Sequence, residues 1–166
     1  FRMHKHWVHE GGISTPLIVS WPGKTDAGKL TGRLTHVSDI MPTCLELAGV
    51  EYPTEFNGKP ITPVAGESFA GHVVGNADTT AERVLFWEHE GNCAVRQGRW
   101  KLVQKFETEG QWELYDMLDD RTELNDLAAV KDDVVRRMDD MYTEWTNRMN
   151  IIPRRQLLAE QRQGRG

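Results

Sequence analysis

Between positions 83 and 117 four short runs, RVLFWEH, NCAVRQG, RWKLVQKF and QWELYDM, follow one another with only glycine-containing breaks between them. Each is rich in β-branched and aromatic residues, which suit a pleated, half-buried surface. Gly91, Gly98 and Gly110 mark the breaks, and Gly98 and Gly110 stand where tight turns need a positive φ. Connections this short join antiparallel neighbours and leave no room for a helical crossover. The pattern predicts a small antiparallel meander.

The segment after it, KDDVVRRMDDMYTEWTNRM, spaces Val134, Met138, Met141, Tyr142, Trp145 and Met149 three or four residues apart. That is the period of an amphipathic helix with one charged face, which should lie on the sheet with its other side in water. Beyond Pro153 the polar stretch ending QRQGRG reads as a mobile tail. Before the meander, PLIVSW suits a buried strand, residues 22–36 an exposed connection, and residues 52–65 an irregular loop. SFAGHVVG holds room for a short helical turn. A helix is signalled by Ser38 or Asp39 as cap, Pro42 in the first turn, Ile40, Cys44, Leu45, Leu47 and Ala48 on one face, and Gly49 as stop.

The chain of 166 residues is long enough for one ordinary domain with its own core. Its 39% hydrophobic and 27% charged residues exclude the composition of a disordered chain. A net charge of -5 argues against a nucleic-acid partner, whose phosphates are met by clustered Lys and Arg. No run approaches the roughly eighteen apolar residues that span a bilayer. Cys44 and Cys93 are too few for a disulfide framework. The opening on Phe1, directly into a dense polar motif, reads as a cut.

That motif holds His4, Lys5, His6, His9 and Glu10, then Gly11 and Gly12. Three imidazoles and a carboxylate could hold a transition metal. The spacing argues against it: in a strand His9 points away from His4 and His6, and in a helix His6 pairs with Glu10. A chance cluster on a polar loop is the alternative. Lys5 admits a different use, since an ammonium on a flexible stem can bind a tetrahedral oxyanion such as sulfate or phosphate. The two glycines then let the backbone turn and approach closely. A solvated surface lysine before a turn is the competing reading.

KHWVHEGGISTP resembles the segment of the sulfatase family, within the alkaline phosphatase superfamily, in which a lysine precedes a Glu-Gly-Gly turn by five residues and a strand follows. HVSDIMPTCLELAGV is similar to the family's next helix, with Asp39, Pro42, Thr43 and Leu47-Ala48-Gly49 in the matching places. NGKPI with GESFAG, AVRQGRWKLV, and WELYDMLDDRTELNDLA resemble the closing region in the same order. The matches cover nearly the whole chain and are arylsulfatase-like.

The resemblance implies the C-terminal portion of a sulfuric ester hydrolase, acting on a small-molecule or glycan sulfate ester. It makes Lys5 the catalytic, sulfate-contacting residue, and sets His9 beside it as a candidate for substrate binding. Glu10, Gly11 and Gly12 shape the turn; Trp87, Glu88 and His89 could rim the pocket, or simply be edge-strand polarity. The family's nucleophile is a formylglycine made from Cys or Ser in a Cys/Ser-x-Pro/Ala-x-Arg motif, and neither Cys44 nor Cys93 has that context. Its calcium (Ca2+) is held by acidic pairs that would lie upstream, so no metal site is expected here. Asp132-Asp133 and Asp139-Asp140 suit the charged helix face, and Asp119-Asp120 a loop. The segment alone is expected to be inactive. Export to a periplasm or beyond is favoured by the resemblance.

The implied fold is α/β for the full protein and α+β for this part: a late strand and helix of the large sheet over 1–66, a C-terminal subdomain of antiparallel sheet and helix over 67–152, and the tail over 153–166. Without the larger sheet, PLIVSW and the Ile40 to Ala48 helix would expose apolar surface and favour self-association. Two rivals remain open: a phosphoesterase or phosphonate hydrolase of the same superfamily, and a non-catalytic module that binds a metal through its histidines or a partner through its aromatic sheet.

Overall fold

In the computed structural model, which describes residues 1–75, 83–108 and 110–163, the chain forms five α-helices and six strands among the described residues. In chain order they are α1 (Glu10–Ile13), α2 (Ile40–Ala48), β1 (Glu55–Phe56), β2 (Lys59–Pro60), α3 (Ala70–Val73), β3 (Val84–His89), β4 (Asn92–Gln97), β5 (Trp100–Gln104), β6 (Glu113–Asp116), α4 (Asp132–Met149) and α5 (Arg154–Gln163). Contacts divide them into two units, Phe1–Pro16 with Glu82–Gly166, and Leu17–Ala81.

The first unit is built on the expected meander, antiparallel in the order β3-β4-β5-β6. The β3–β4 hairpin turns at Glu90 and Gly91, at φ 56° and 82°, which is the two-residue turn whose twist matches the strands. Strand alternation sorts the side chains onto two faces. Val95, Leu102 and Leu114 face α4, where Met138 is fully buried among them. Burial of a side chain such as Met138 stabilises by about 1.5 to 3 kcal/mol. At the rim of this face Trp145 stacks on Phe86, with centroids 5.1 Å apart and planes within 5°.

Ala94, Val103 and Tyr115 point to the opposite face and pack on Val8, with Ile13 and Trp87 at the margin. The N-terminal segment is therefore the cover of the second sheet face. Lys101 and Glu113 lie on this face too, because Lys101 pairs with Tyr115 across the strands and Val103 with Glu113. A sheet covered on both sides buries such charges, and they require partners.

The second unit holds α2, which ends at Gly49 in the left-handed conformation (φ 64°), with Val50 N–H returning to the Leu45 carbonyl. Asp39 is buried before this helix. Its carboxylate accepts from the N–H of His36 at 2.6 Å and of Glu67 at 3.0 Å. Thr43 repeats the pattern: its hydroxyl donates to the Asp39 carbonyl at 2.6 Å and accepts from the Phe69 N–H at 3.0 Å. The HVSDIMPT motif thus fastens the GESFAG segment. At Gly66, φ 93°, a Cβ would lie 2.5 Å from the Ser38 carbonyl oxygen, so only glycine fits there.

Three expectations differ from the structure. Leu17–Trp21 forms no ladder, and Ile18 is 88% exposed, because a single strand has no pairing partner within these residues. The stretch beyond Pro153, expected to be a tail, is helical over Arg154–Gln163. Finally, the division expected at position 66 does not coincide with the contact units, since residues 1–16 join the sheet rather than the chain that follows them.

Candidate functional site: the Lys5 loop and its buried supports

Residues 2–11 form a loop closed on itself. The Gly11 N–H donates to the Arg2 carbonyl at 2.9 Å, and α1 begins in the same turn. Lys5 stands near the middle of this loop, exposed, with its backbone in the left-handed region at φ 54°. The glycines serve a purpose other than positive φ. A Cβ on Gly11 would lie 2.1 Å from the Met3 carbonyl oxygen, and one on Gly12 1.7 Å from that of Trp7. The loop closes this tightly because those side chains are absent.

Two charge clusters hold the loop to the sheet. In the first, Glu113 Oε2 accepts from Arg2 Nη1 at 2.9 Å and from the Tyr115 hydroxyl at 2.7 Å, and lies 3.0 Å from His9 Nε2. Its Oε1 pairs with Lys105 Nζ at 3.2 Å. Arg2 also donates to the Tyr115 oxygen and to the Glu123 carbonyl. Burial by itself would raise the Glu113 carboxyl, but hydrogen bonds from His9, Tyr115 and Lys105 and the Arg2 charge outweigh it and hold the group well below the usual carboxylate range. The Tyr115 phenol is pushed up, by burial first and then by its bond to Glu113.

In the second cluster the ammonium of Lys101, 0% exposed, lies 2.8 Å from Glu10 Oε1 and 2.7 Å from Glu123 Oε1. The backbone N–H of Glu10 donates to Glu123 Oε2 at 2.8 Å. Glu123 reaches inward from a left-handed position, φ 58°. The loop around it is shaped by Asp120, whose carboxylate accepts from the N–H of Leu124 and Asn125 at 2.9 and 2.8 Å. Asp119 of the same pair binds Arg99 at the surface, at 3.2 Å.

Lys5 therefore sits in solvent on a loop pinned from both ends, while His9 is wholly buried. His9 Nε2 is engaged by Glu113, and its Nδ1 has no hydrogen-bond partner among the described residues. His4 and His6 lie against the Trp7 ring, at centroid distances of 5.4 and 4.1 Å. No three His, Cys, Asp or Glu side chains among the described residues converge on a metal position, so the module with a histidine-held metal has no geometric support there. Cys93 is buried, and burial chiefly pushes its thiol up to about 12, which disfavours the thiolate. Glu88 caps the β3–β4 turn through the Gly91 N–H at 2.7 Å, Trp87 packs on the Val8 cluster, and His89 is exposed.

The residues that sequence reading missed are the supports: Arg2, Lys101, Glu113 and Glu123. A signal was present in RWKLVQKF, where alternation puts Lys101 on the same side as Val103 and opposite Leu102. With both faces apolar, that lysine had to be buried and paired.

Residues 2–150 match the sequence model of the family described as N-sulphoglucosamine sulphohydrolase, C-terminal. The chain belongs to this sulfatase family. Among its relatives, an uncharacterized sulfatase of Schizosaccharomyces pombe is 30% identical over 91% of this chain and 28% of its own length. An N-acetylglucosamine-6-O-sulfatase of Bacteroides thetaiotaomicron is 26% identical over 74% of this chain and 23% of its own. The crystal structure of Ps i-CgsB shares the fold, with a TM-score of 0.61, 19% identity, and coverage of 76% of this chain and 27% of that one. This sulfatase chain spans about a quarter of the length of such relatives. No helix among its described residues is long and apolar enough to cross a membrane.

Proposed function

We propose that the protein containing this chain hydrolyses sulfate esters of small molecules or glycans, and that Lys5 is the ammonium this region contributes to sulfate binding. One observation carries the reading: Lys5 is exposed on a loop that is closed by main chain and anchored on both sides by buried charges. A cation on so fixed a support is oriented before charge develops on the sulfate oxygens, and such preorganised groups contribute most to catalysis. The buried His9 braces the loop through Glu113 in this reading, rather than touching substrate.

The formylglycine nucleophile and the calcium ligands belong to the proposal as parts supplied elsewhere in the full-length protein. What this chain supplies is the binding of the anion's oxygens and the rigidity of the group that binds them. Because one relative is an N-acetylglucosamine-6-O-sulfatase, a sulfated sugar should be tested beside an aryl sulfate. Export to a periplasm or the cell exterior is part of the same reading.

The isolated chain should show no turnover of a chromogenic aryl sulfate with calcium present, and real turnover would contradict the proposal. In the full-length protein Lys5→Ala should lower kcat/KM by the equivalent of roughly 2 to 4 kcal/mol, the scale of one electrostatic contact at a reacting centre. An unchanged kcat/KM would remove Lys5 from the site.

A further inference from the structure

The Glu10–Lys101–Glu123 cluster sets two carboxylates against one buried ammonium. Arg96 adds longer-range attraction for the excess negative charge, while its own side-chain bond goes to the Gly98 carbonyl. Apolar residues of similar volume often stabilise a core at least as well as a buried ion cluster does. Packing therefore gives little reason for this arrangement.

Direction gives a better one. Lys101 is held in the rigid centre of the sheet, flanked by β4 and β6. Its ammonium grips the Glu10 side chain, while Glu123, itself gripped by Lys101, holds the Glu10 backbone N–H. Glu10 is thus fixed by side chain and main chain together. The next residue, Gly11, closes the Lys5 loop on Arg2, whose guanidinium also reaches the Glu123 carbonyl.

We propose that Lys101, acting through Glu10, is a positioning residue for the reaction: it fixes the loop that carries Lys5 and so sets where the Lys5 ammonium stands relative to the sulfate. This rests on the role of Lys5 proposed above. Lys101 touches neither substrate nor reacting atoms. Its influence is the precision of a cation held at a distance, and a displacement of about 1 Å at a reacting centre can cost on the order of a hundredfold in rate.

The test uses the full-length protein, an aryl sulfate, and two variants in two backgrounds. Lys101→Met removes the grip. Glu10→Met keeps the volume, removes the oxygen that Lys101 grips and leaves Lys101 in a balanced pair with Glu123, so it decides the matter if Lys101→Met does not fold. With Lys5 present, Glu10→Met should lower kcat on the order of tenfold or more, with little change in KM. With Lys5 already replaced by Ala, the same change should add almost nothing. Equal losses in the two backgrounds would mean a structural role only, and no loss in either would also overturn the inference. Those outcomes differ from a Lys5→Ala protein of full activity, which would sink the functional reading beneath it.

Discussion

The backbone N–H of Gly11 donates to the carbonyl oxygen of Arg2 at 2.9 Å, so that the main chain itself closes the Lys5 loop. This approach is possible because nothing projects from the Cα atoms of Gly11 and Gly12. A methyl group at Gly12 would meet the Trp7 carbonyl carbon at 2.9 Å and its oxygen at 1.7 Å, and both atoms are backbone that cannot swing aside. Gly12→Ala should therefore cost on the order of 3 kcal/mol, the upper part of the range for overpacking. Urea denaturation of the chain would measure it, and a midpoint equal to that of the unaltered protein would show that the loop opens freely.

Lys101 offers a second test of stability, separate from any activity. Lys101→Met leaves the Glu10 and Glu123 carboxylates buried without a counter-charge, and breaking a buried pair in this way costs roughly 3 to 5 kcal/mol. Replacing all three residues with apolar side chains of similar size should restore part of the loss, because no charge is then left unpaired and only the Glu10 N–H loses its acceptor on Glu123. Thermal unfolding of the single and triple variants distinguishes the cases. A triple variant no more stable than Lys101→Met would show that the ion cluster itself holds the fold together.

Glu113 ties acidity to stability. Its carboxyl is held below the ordinary glutamate value of 4.5 in the folded chain, so protonation is harder there than in the unfolded state. The corresponding stability is fully present above that value and is lost as pH falls below it toward the folded-state pKa. Unfolding free energy measured between pH 7 and pH 3 should fall with acidity. In Glu113→Gln it should be lower at pH 7 and should fall less steeply. Parallel curves for the two proteins would assign the acid sensitivity to other carboxylates.

Much of this architecture was legible in the sequence. The meander, α2 with its Gly49 stop, and the long α4 follow from local period and turn chemistry, and each appears where those signals put it. The Glu10-Gly11-Gly12 turn was legible as a turn. Less visible was the reason for it, since the clash that excludes a Cβ involves the backbone of Arg2, Met3 and Trp7, which only the folded loop brings near. The supports were hidden for a similar reason. Glu123 stands 113 residues from Glu10 and Glu113 stands 111 from Arg2, and no local pattern joins residues so far apart. The helix after Pro153 was read as a tail because its apolar positions are few.

The second unit exposes several apolar side chains. Leu17, Ile18, Val19 and Trp21 are exposed and belong to no ladder, and Ile40 and Met41 are exposed at the start of α2. Exposed apolar side chains favour burial by roughly 25 cal/mol for each Å² removed from water, whatever surface supplies the cover. For the isolated chain the most available surface is another copy of itself. Sedimentation velocity across a dilution series should show association that weakens with Ile18→Ser, a change at a position that is 88% exposed. A monomer at every concentration, or an Ile18→Ser protein that associates as strongly as the parent, would place the adhesive surface elsewhere.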